Sequence, residues 1–118
     1  VYDEIARVSE TVSLADALLE MTKFPLGIIV VSDQDRNLQG VFTEGDLRRT
    51  LTRHSAIYEL TMKDCMTAKP ISIGPSALAV DASNLMEEKS ISALPVLDAN
   101  QKIVGVITMH HLLKARVM

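Results

Sequence analysis

The chain carries one pattern twice. A step of 65 positions takes Gly40 onto Gly105, Thr43 onto Thr108 and Leu47 onto Leu112. The same step superposes Asp16 on Asp81, Ala17 on Ala82, Met21 on Met86, Val31 on Val96 and Asp33 on Asp98. No gap is needed from Ile5 and Pro70 through Arg49 and Lys114, a register too long to be a coincidence. Two repeats follow, over residues 1–58 and 59–118. Neither is large enough to bury both faces of a small sheet by itself, so the two are expected to pack as a pseudo-twofold pair.

Local signals give each repeat the order strand, helix, strand, strand, helix, which makes a mixed α/β fold. Ile5 to Val8 is a short strand. Ser13 with Asp16 is an N-cap signature, and Leu14, Ala17, Leu18 and Met21 recur at helical spacing, so a helix is expected from Ser13 to about Lys23. Pro25 and Gly27 close it. Ile28-Ile29-Val30-Val31 is a continuous β-branched run, the mark of a strand buried on both faces. Asp33 to Asn37 forms a polar hairpin turn, and Leu38 to Phe42 returns as the next strand. A helix from Glu44 to about Arg53 follows, then a connector around Ala56 to Lys63.

Composition narrows the function classes. The 118 residues suffice for one compact core, and 47% of them are apolar, which excludes a disordered chain. Net charge is −3, Arg48-Arg49 is the only adjacent basic pair, and aromatics are too few for a stacking ladder. No nucleic-acid surface is therefore expected. The single Cys65 cannot form an internal disulfide, and neither a signal peptide nor an apolar run of membrane-spanning length is present, so a cytoplasmic protein is expected. The chain opens on Val1 rather than Met, which suggests a piece of a longer protein.

Chemistry concentrates in one stretch. Gly40 to Arg49 runs from a strand into the first turn of a helix, with Thr43 at the N-cap and Asp46 three positions on, close to a capping box. Taken alone, this pair needs to do no more than satisfy orphan helix amides. The alternative is a site for a phosphorylated ribose, in which helix amides and a hydroxyl meet phosphate and a carboxylate accepts hydroxyl hydrogens. No metal site is expected, because His54, Cys65, His110 and His111 match no standard ligand spacing. No nucleophile–base pair or carboxylate pair can be assembled, so these residues do not read as an enzyme. Met62, Met66, Met86 and Met109 read as packing, and Glu87 to Lys89 as a solvated helix end. Arg48 and Arg49 are either solvent-exposed or reach a ligand phosphate or a partner subunit.

The duplicated unit resembles a pair of CBS domains, a Bateman module. The matching stretches are Cys65-Met66-Thr67 leading to Pro70-Ile71-Ser72-Ile73, then Ala82, Ile91 to Val96, and the two Gly-Val-Phe/Ile-Thr stretches. The resemblance spans essentially the whole chain. It implies a ligand-sensing module that binds adenosine or other nucleotides in clefts between the repeats. Carried onto this chain, it implies that Thr43 addresses phosphate and Asp46 the ribose hydroxyls, with Thr67, Ile71, Ile91, Ser92 and Ala93 completing the cleft around the base. The second cleft departs from the pattern. Thr108 is present, but His111 stands where Asp46 would repeat, and histidine cannot take both ribose hydroxyls as a carboxylate does. That cleft is either a structural remnant or one retuned for an anion through His110 and His111.

A narrower resemblance lies inside the wider one. Gly40 to Arg49, Ile5 to Val8 and Leu14 to Met21 are similar to the first CBS repeat of bacterial arabinose 5-phosphate isomerases. In that family a sugar isomerase (SIS) domain precedes the CBS pair and interconverts ribulose 5-phosphate and arabinose 5-phosphate, the start of Kdo synthesis for lipopolysaccharide. The resemblance implies that this chain is the regulatory part, that the chemistry belongs to an attached SIS domain, and that CBS pairs associate as a homodimer. It implies no cofactor beyond a regulatory nucleotide, CMP-Kdo or an adenine nucleotide. A structural CBS pair that holds subunits together and binds nothing is the other class of function open to it.

Overall fold

A computed structural model describes residues 5–23, 27–68, 70–74, 79–91 and 93–109. Among these the chain divides into two compact units, one up to Pro70 and one from Ile71 on.

The first unit contains β1 (Ala6–Val8), α1 (Leu14–Lys23), β2 (Ile28–Ser32), β3 (Leu38–Thr43), α2 (Glu44–Arg53), a 3-10 turn at Ile57–Glu59, the short α3 (Met62–Cys65) and β4 (Thr67–Ala68). Its sheet runs β1-β2-β3-β4, with β1 parallel to β2 and the other pairs antiparallel. All five β2 residues are buried, as a central β-branched strand requires. Ile29 and Val31, two apart and so on one face, join Leu14, Ala17, Phe42 and Met62 in the core. Each large side chain buried there contributes about 1.5–3 kcal/mol. α1 starts where Ser13 Oγ accepts the Asp16 N–H at 3.2 Å, and Leu14, Ala17, Leu18 and Met21 form the stripe that meets the core. Pro25 lies outside the described residues, and Gly27 takes the left-handed turn into β2 at φ 74.

The connector after α2 is strapped to the first unit. The Met62 N–H donates to the Val12 carbonyl at 2.8 Å and the Lys63 N–H to the Glu10 carbonyl at 2.9 Å. Met62 is thereby seated, fully buried, against the core beneath α1.

The second unit contains α4 (Ala79–Lys89), β5 (Ala93–Leu97) and β6 (Ile103–Thr108), and it restates the first in geometry as well as sequence. Ile28 pairs with Thr43 and Val31 with Gly40, while Ala93 pairs with Thr108 and Val96 with Gly105. Both hairpins slip register directly after the valine, at Val31/Ser32 and at Val96/Leu97. Both turns are closed by an aspartate. Asp33 Oδ1 accepts the N–H groups of Asp35 and Asn37 at 2.9 and 3.0 Å; Asp98 Oδ1 accepts those of Asn100 and Lys102 at 2.8 and 3.0 Å. Arg36 and Gln101 both sit at φ 65. Ala82 and Met86 take the core places of Ala17 and Met21, packed with Leu94.

Among the described residues, the short α3 and β4 were not expected, and the opening strand of the second repeat is shorter than expected. Ile73 alone bridges to Val96, with the Ile73 N–H on the Pro95 carbonyl at 3.1 Å and the Leu97 N–H on the Ile73 carbonyl at 2.9 Å. In the first unit the equivalent ladder has three pairs, Ala6, Arg7 and Val8 against Ile29, Val30 and Val31. Pro95 stands where Val30 would repeat and has no N–H to give, so the second ladder stops short. The closing helix of this repeat falls outside the described residues.

Candidate functional site

Thr43 ends β3 in extended backbone (φ −113, ψ 173) and caps α2. The Asp46 N–H donates to Thr43 Oγ1 at 3.3 Å, while Asp46 Oδ2 accepts the Thr43 N–H at 2.9 Å and its hydroxyl at 3.2 Å. This is a complete capping box. By itself it carries no functional information, because Thr61 and Asp64 build the same box on α3, at 2.9 and 3.1 Å. Asp64 is exposed, and the Thr61 N–H and hydroxyl hold its carboxyl below the usual aspartate range.

Asp46 differs in burial and in its distant partners. It is 5% exposed, and its second oxygen, Oδ1, accepts the Thr67 hydroxyl at 2.9 Å and the Arg49 guanidinium at 2.5 Å. Thr67 arrives on β4, which pairs with β3 through Gly40↔Ala68 and Val41↔Thr67. Gly40 permits that approach. A Cβ there would stand 2.8 Å from the Thr67 carbonyl oxygen and 2.7 Å from Met66 Sδ. Thr50, one turn along, returns its hydroxyl to the Asp46 carbonyl at 2.8 Å and completes the buried polar face of α2.

A groove of 230 Å³ opens beside Asp46, bounded by Arg49, Arg53, His54, Cys65 and Thr67 among others. Burial pushes the Cys65 thiol up. The thiol stays protonated and donates to the Thr61 carbonyl at 3.3 Å, which is a packing role rather than a nucleophile's. Among the described residues no group of three or more His, Cys, Asp or Glu could hold a metal ion, and no helix is long and apolar enough to cross a membrane.

Of the residues singled out in the sequence, Thr43, Asp46 and Thr67 come together within the first unit. Ile71 and Ile91 are surface residues of the second unit, each 37% exposed, and Ala93 is half-buried at the start of β5. Thr108 ends β6 and is buried. Ser92, His110 and His111 lie outside the described residues. Arg49, left open between solvent and ligand, is bonded to Asp46; the signal available for it was the i, i+3 spacing of opposite charges on one helix.

The family model for the CBS domain matches the chain twice, at residues 3–53 and 62–117. The arabinose 5-phosphate isomerase KdsD of Escherichia coli (strain K12) is 42% identical over 116 residues, which is 98% of this chain and 35% of the relative. The chain thus spans about a third of the length of the curated relatives it matches. Among solved structures, CBSX2 in complex with AMP superposes with a TM-score of 0.81 at 24% identity, covering 98% of this chain and 89% of that one. The CBS domain pair of MJ0100, in complex with 5′-methylthioadenosine and S-adenosyl-L-methionine, gives 0.85 at 19% identity, covering 96% and 88%. At those identities the likeness is one of fold.

Proposed function

The chain belongs to the CBS domain family, and from that premise we propose that it is the ligand-sensing regulatory part of an arabinose 5-phosphate isomerase, binding a ribonucleotide or a nucleotide-activated sugar at Thr43 and Asp46. One observation carries the site: a buried carboxylate that reaches past its own cap to a hydroxyl on another strand and to an exposed guanidinium. In this role Asp46 accepts ribose hydroxyl hydrogens, Thr43 and the first amides of α2 meet phosphate, and Thr67, Ile71, Ile91, Ser92 and Ala93 hold the base. The AMP of CBSX2 and the adenosyl ligands of MJ0100 support the nucleotide class. Within it CMP-Kdo is the first choice, since an activated end product usefully throttles the first step of its own synthesis, and adenine nucleotides are the second. Isomerase chemistry would belong to an attached SIS domain, in line with the KdsD relatives. Exposed Leu19 and Leu51, on α1 and α2, support association with a second copy through the helices.

Thermal denaturation against CMP-Kdo, CMP, AMP and ATP tests the reading. A ligand at a hundred times its Kd stabilises the fold by about 2.7 kcal/mol, several degrees for a chain of this size. The competing reading, a structural CBS pair without ligand, draws on the fact that Asp46 is already satisfied inside the chain. No shift with any of the four compounds would decide for it.

A further inference from the structure

Asp46 has no spare capacity for a ribose. Oδ2 takes the Thr43 N–H and hydroxyl, and Oδ1 takes the Thr67 hydroxyl and the Arg49 guanidinium. A carboxylate offers about four acceptor positions, and these donors fill them. The two on Oδ2 belong to the cap of α2. The two on Oδ1 can leave without unmaking the helix, and two is the number of hydroxyls a ribose diol brings.

Of those two, Arg49 is the mobile one. Its side chain is 55% exposed against 5% for Asp46. The guanidinium folds back over the first turn of α2. A methyl placed on Gly45 would lie 3.5 Å from Arg49 Nη1, 3.7 Å from Nη2 and 3.6 Å from Thr43 Oγ1. The guanidinium charge therefore hangs beside the Thr43 hydroxyl and the first-turn amides, which have no carbonyl partner within the helix. That is where an anion would settle.

Resting on the ribose role proposed above for Asp46, we infer that Arg49 makes this site select nucleotides over nucleosides. The ribose hydroxyls replace Arg49 and Thr67 on Oδ1, and the displaced guanidinium turns to the phosphate at the head of α2. A nucleoside must break the same charge-assisted bond and leaves the guanidinium only water. A nucleotide returns a phosphate oxygen for the carboxylate oxygen that was lost.

Calorimetric titration of the 118-residue chain with two base-matched pairs, AMP against adenosine and CMP against cytidine, tests this. Arg49→Ala should leave nucleoside affinity unchanged or tighter and weaken the nucleotide, so that the preference falls about tenfold or more, the scale of one charge-assisted hydrogen bond. Arg49→Lys should keep part of the preference, and melting temperatures near wild type would show that both variants are folded. Equal weakening of both members of a pair by Arg49→Ala, an unchanged preference, or no binding of either pair by wild type would overturn the inference. Asp46→Asn separates the two levels. If it binds as wild type does, the ribose site itself is misplaced; if it loses binding while Arg49→Ala keeps the preference, only the role of Arg49 fails.

Discussion

Replacing Gly40 with alanine sets two effects of opposite sign against each other. The φ of Gly40 lies outside the left-handed region, so its backbone accepts alanine without strain. In open space the change would stabilise the fold by about 0.4–1 kcal/mol by narrowing the unfolded ensemble. The space is not open. The new Cβ would meet Met66 Sδ at 2.7 Å, Met66 Cγ at 3.1 Å and the Thr67 carbonyl oxygen at 2.8 Å. The thioether can swing aside, but the carbonyl belongs to β4 where it pairs with β3. It must retreat by roughly half an ångström or more to reach ordinary contact. Overpacking of this kind costs about 1–3 kcal/mol, and the retreat stretches the Thr67–Asp46 bond, worth about 1 kcal/mol. Gly40→Ala should therefore destabilise by about 1–3 kcal/mol net, a fall in Tm of several degrees. Gly45→Ala is the control, since its Cβ would find nothing closer than 3.5 Å. It should gain about 0.5–1 kcal/mol from helix propensity. Urea denaturation of the two variants reads the contrast. A Gly40→Ala protein as stable as wild type would refute the close packing of β4 on β3.

Three further outcomes are expected. Asp33→Ala and Asp98→Ala each remove two backbone bonds that close a hairpin turn and should each cost about 1–2 kcal/mol, with Asp33→Ala the costlier because Asp33 Oδ2 also accepts the Asn37 side-chain amide at 2.8 Å, an order that chemical denaturation can check. Because burial raises the Cys65 pKa, its thiol should react with iodoacetamide at pH 7–8 more slowly than glutathione does. Asp64 should titrate below an ordinary aspartate in carboxyl NMR spectra. Its contribution to stability is then complete above the unfolded-state pKa and is lost as pH falls through the lower folded value, and Thr61→Val should shift the titration upward.

The fold was legible because its signals are local and doubled. The β-branched run at Ile28–Val31, the caps at Ser13 and Thr43, and the polar turn at Asp33 each name their element without tertiary information, and the second copy repeats the turn at Asp98 and the threonine at Thr108 while replacing the β-branched run by Ala93-Leu94-Pro95-Val96 and Ser13 by Leu78. The shortened first ladder of the second repeat was readable in principle, since Pro95 announces a missing donor; the strand expectation gave that residue too little weight. The site was only partly legible. Thr43 and Asp46 are three residues apart and bound to meet. That Thr67 joins them from 21 residues on depends on β4 laying its backbone against Gly40, which no spacing rule encodes. The difference between Asp46 and its twin Asp64 is burial, and burial is a property of the packed chain.

The central claim is that Asp46 reads a ribose, and the 2′-hydroxyl reports on it most directly. Isothermal titration of wild type with AMP, CMP and their 2′-deoxy counterparts removes one hydroxyl from the ligand and nothing from the protein. The account predicts that each 2′-deoxynucleotide binds about tenfold or more weakly than its ribose partner, as for a lost hydrogen bond to a charged group. In Asp46→Ala the difference should vanish. Equal affinity of wild type for the ribose and deoxyribose forms would contradict it.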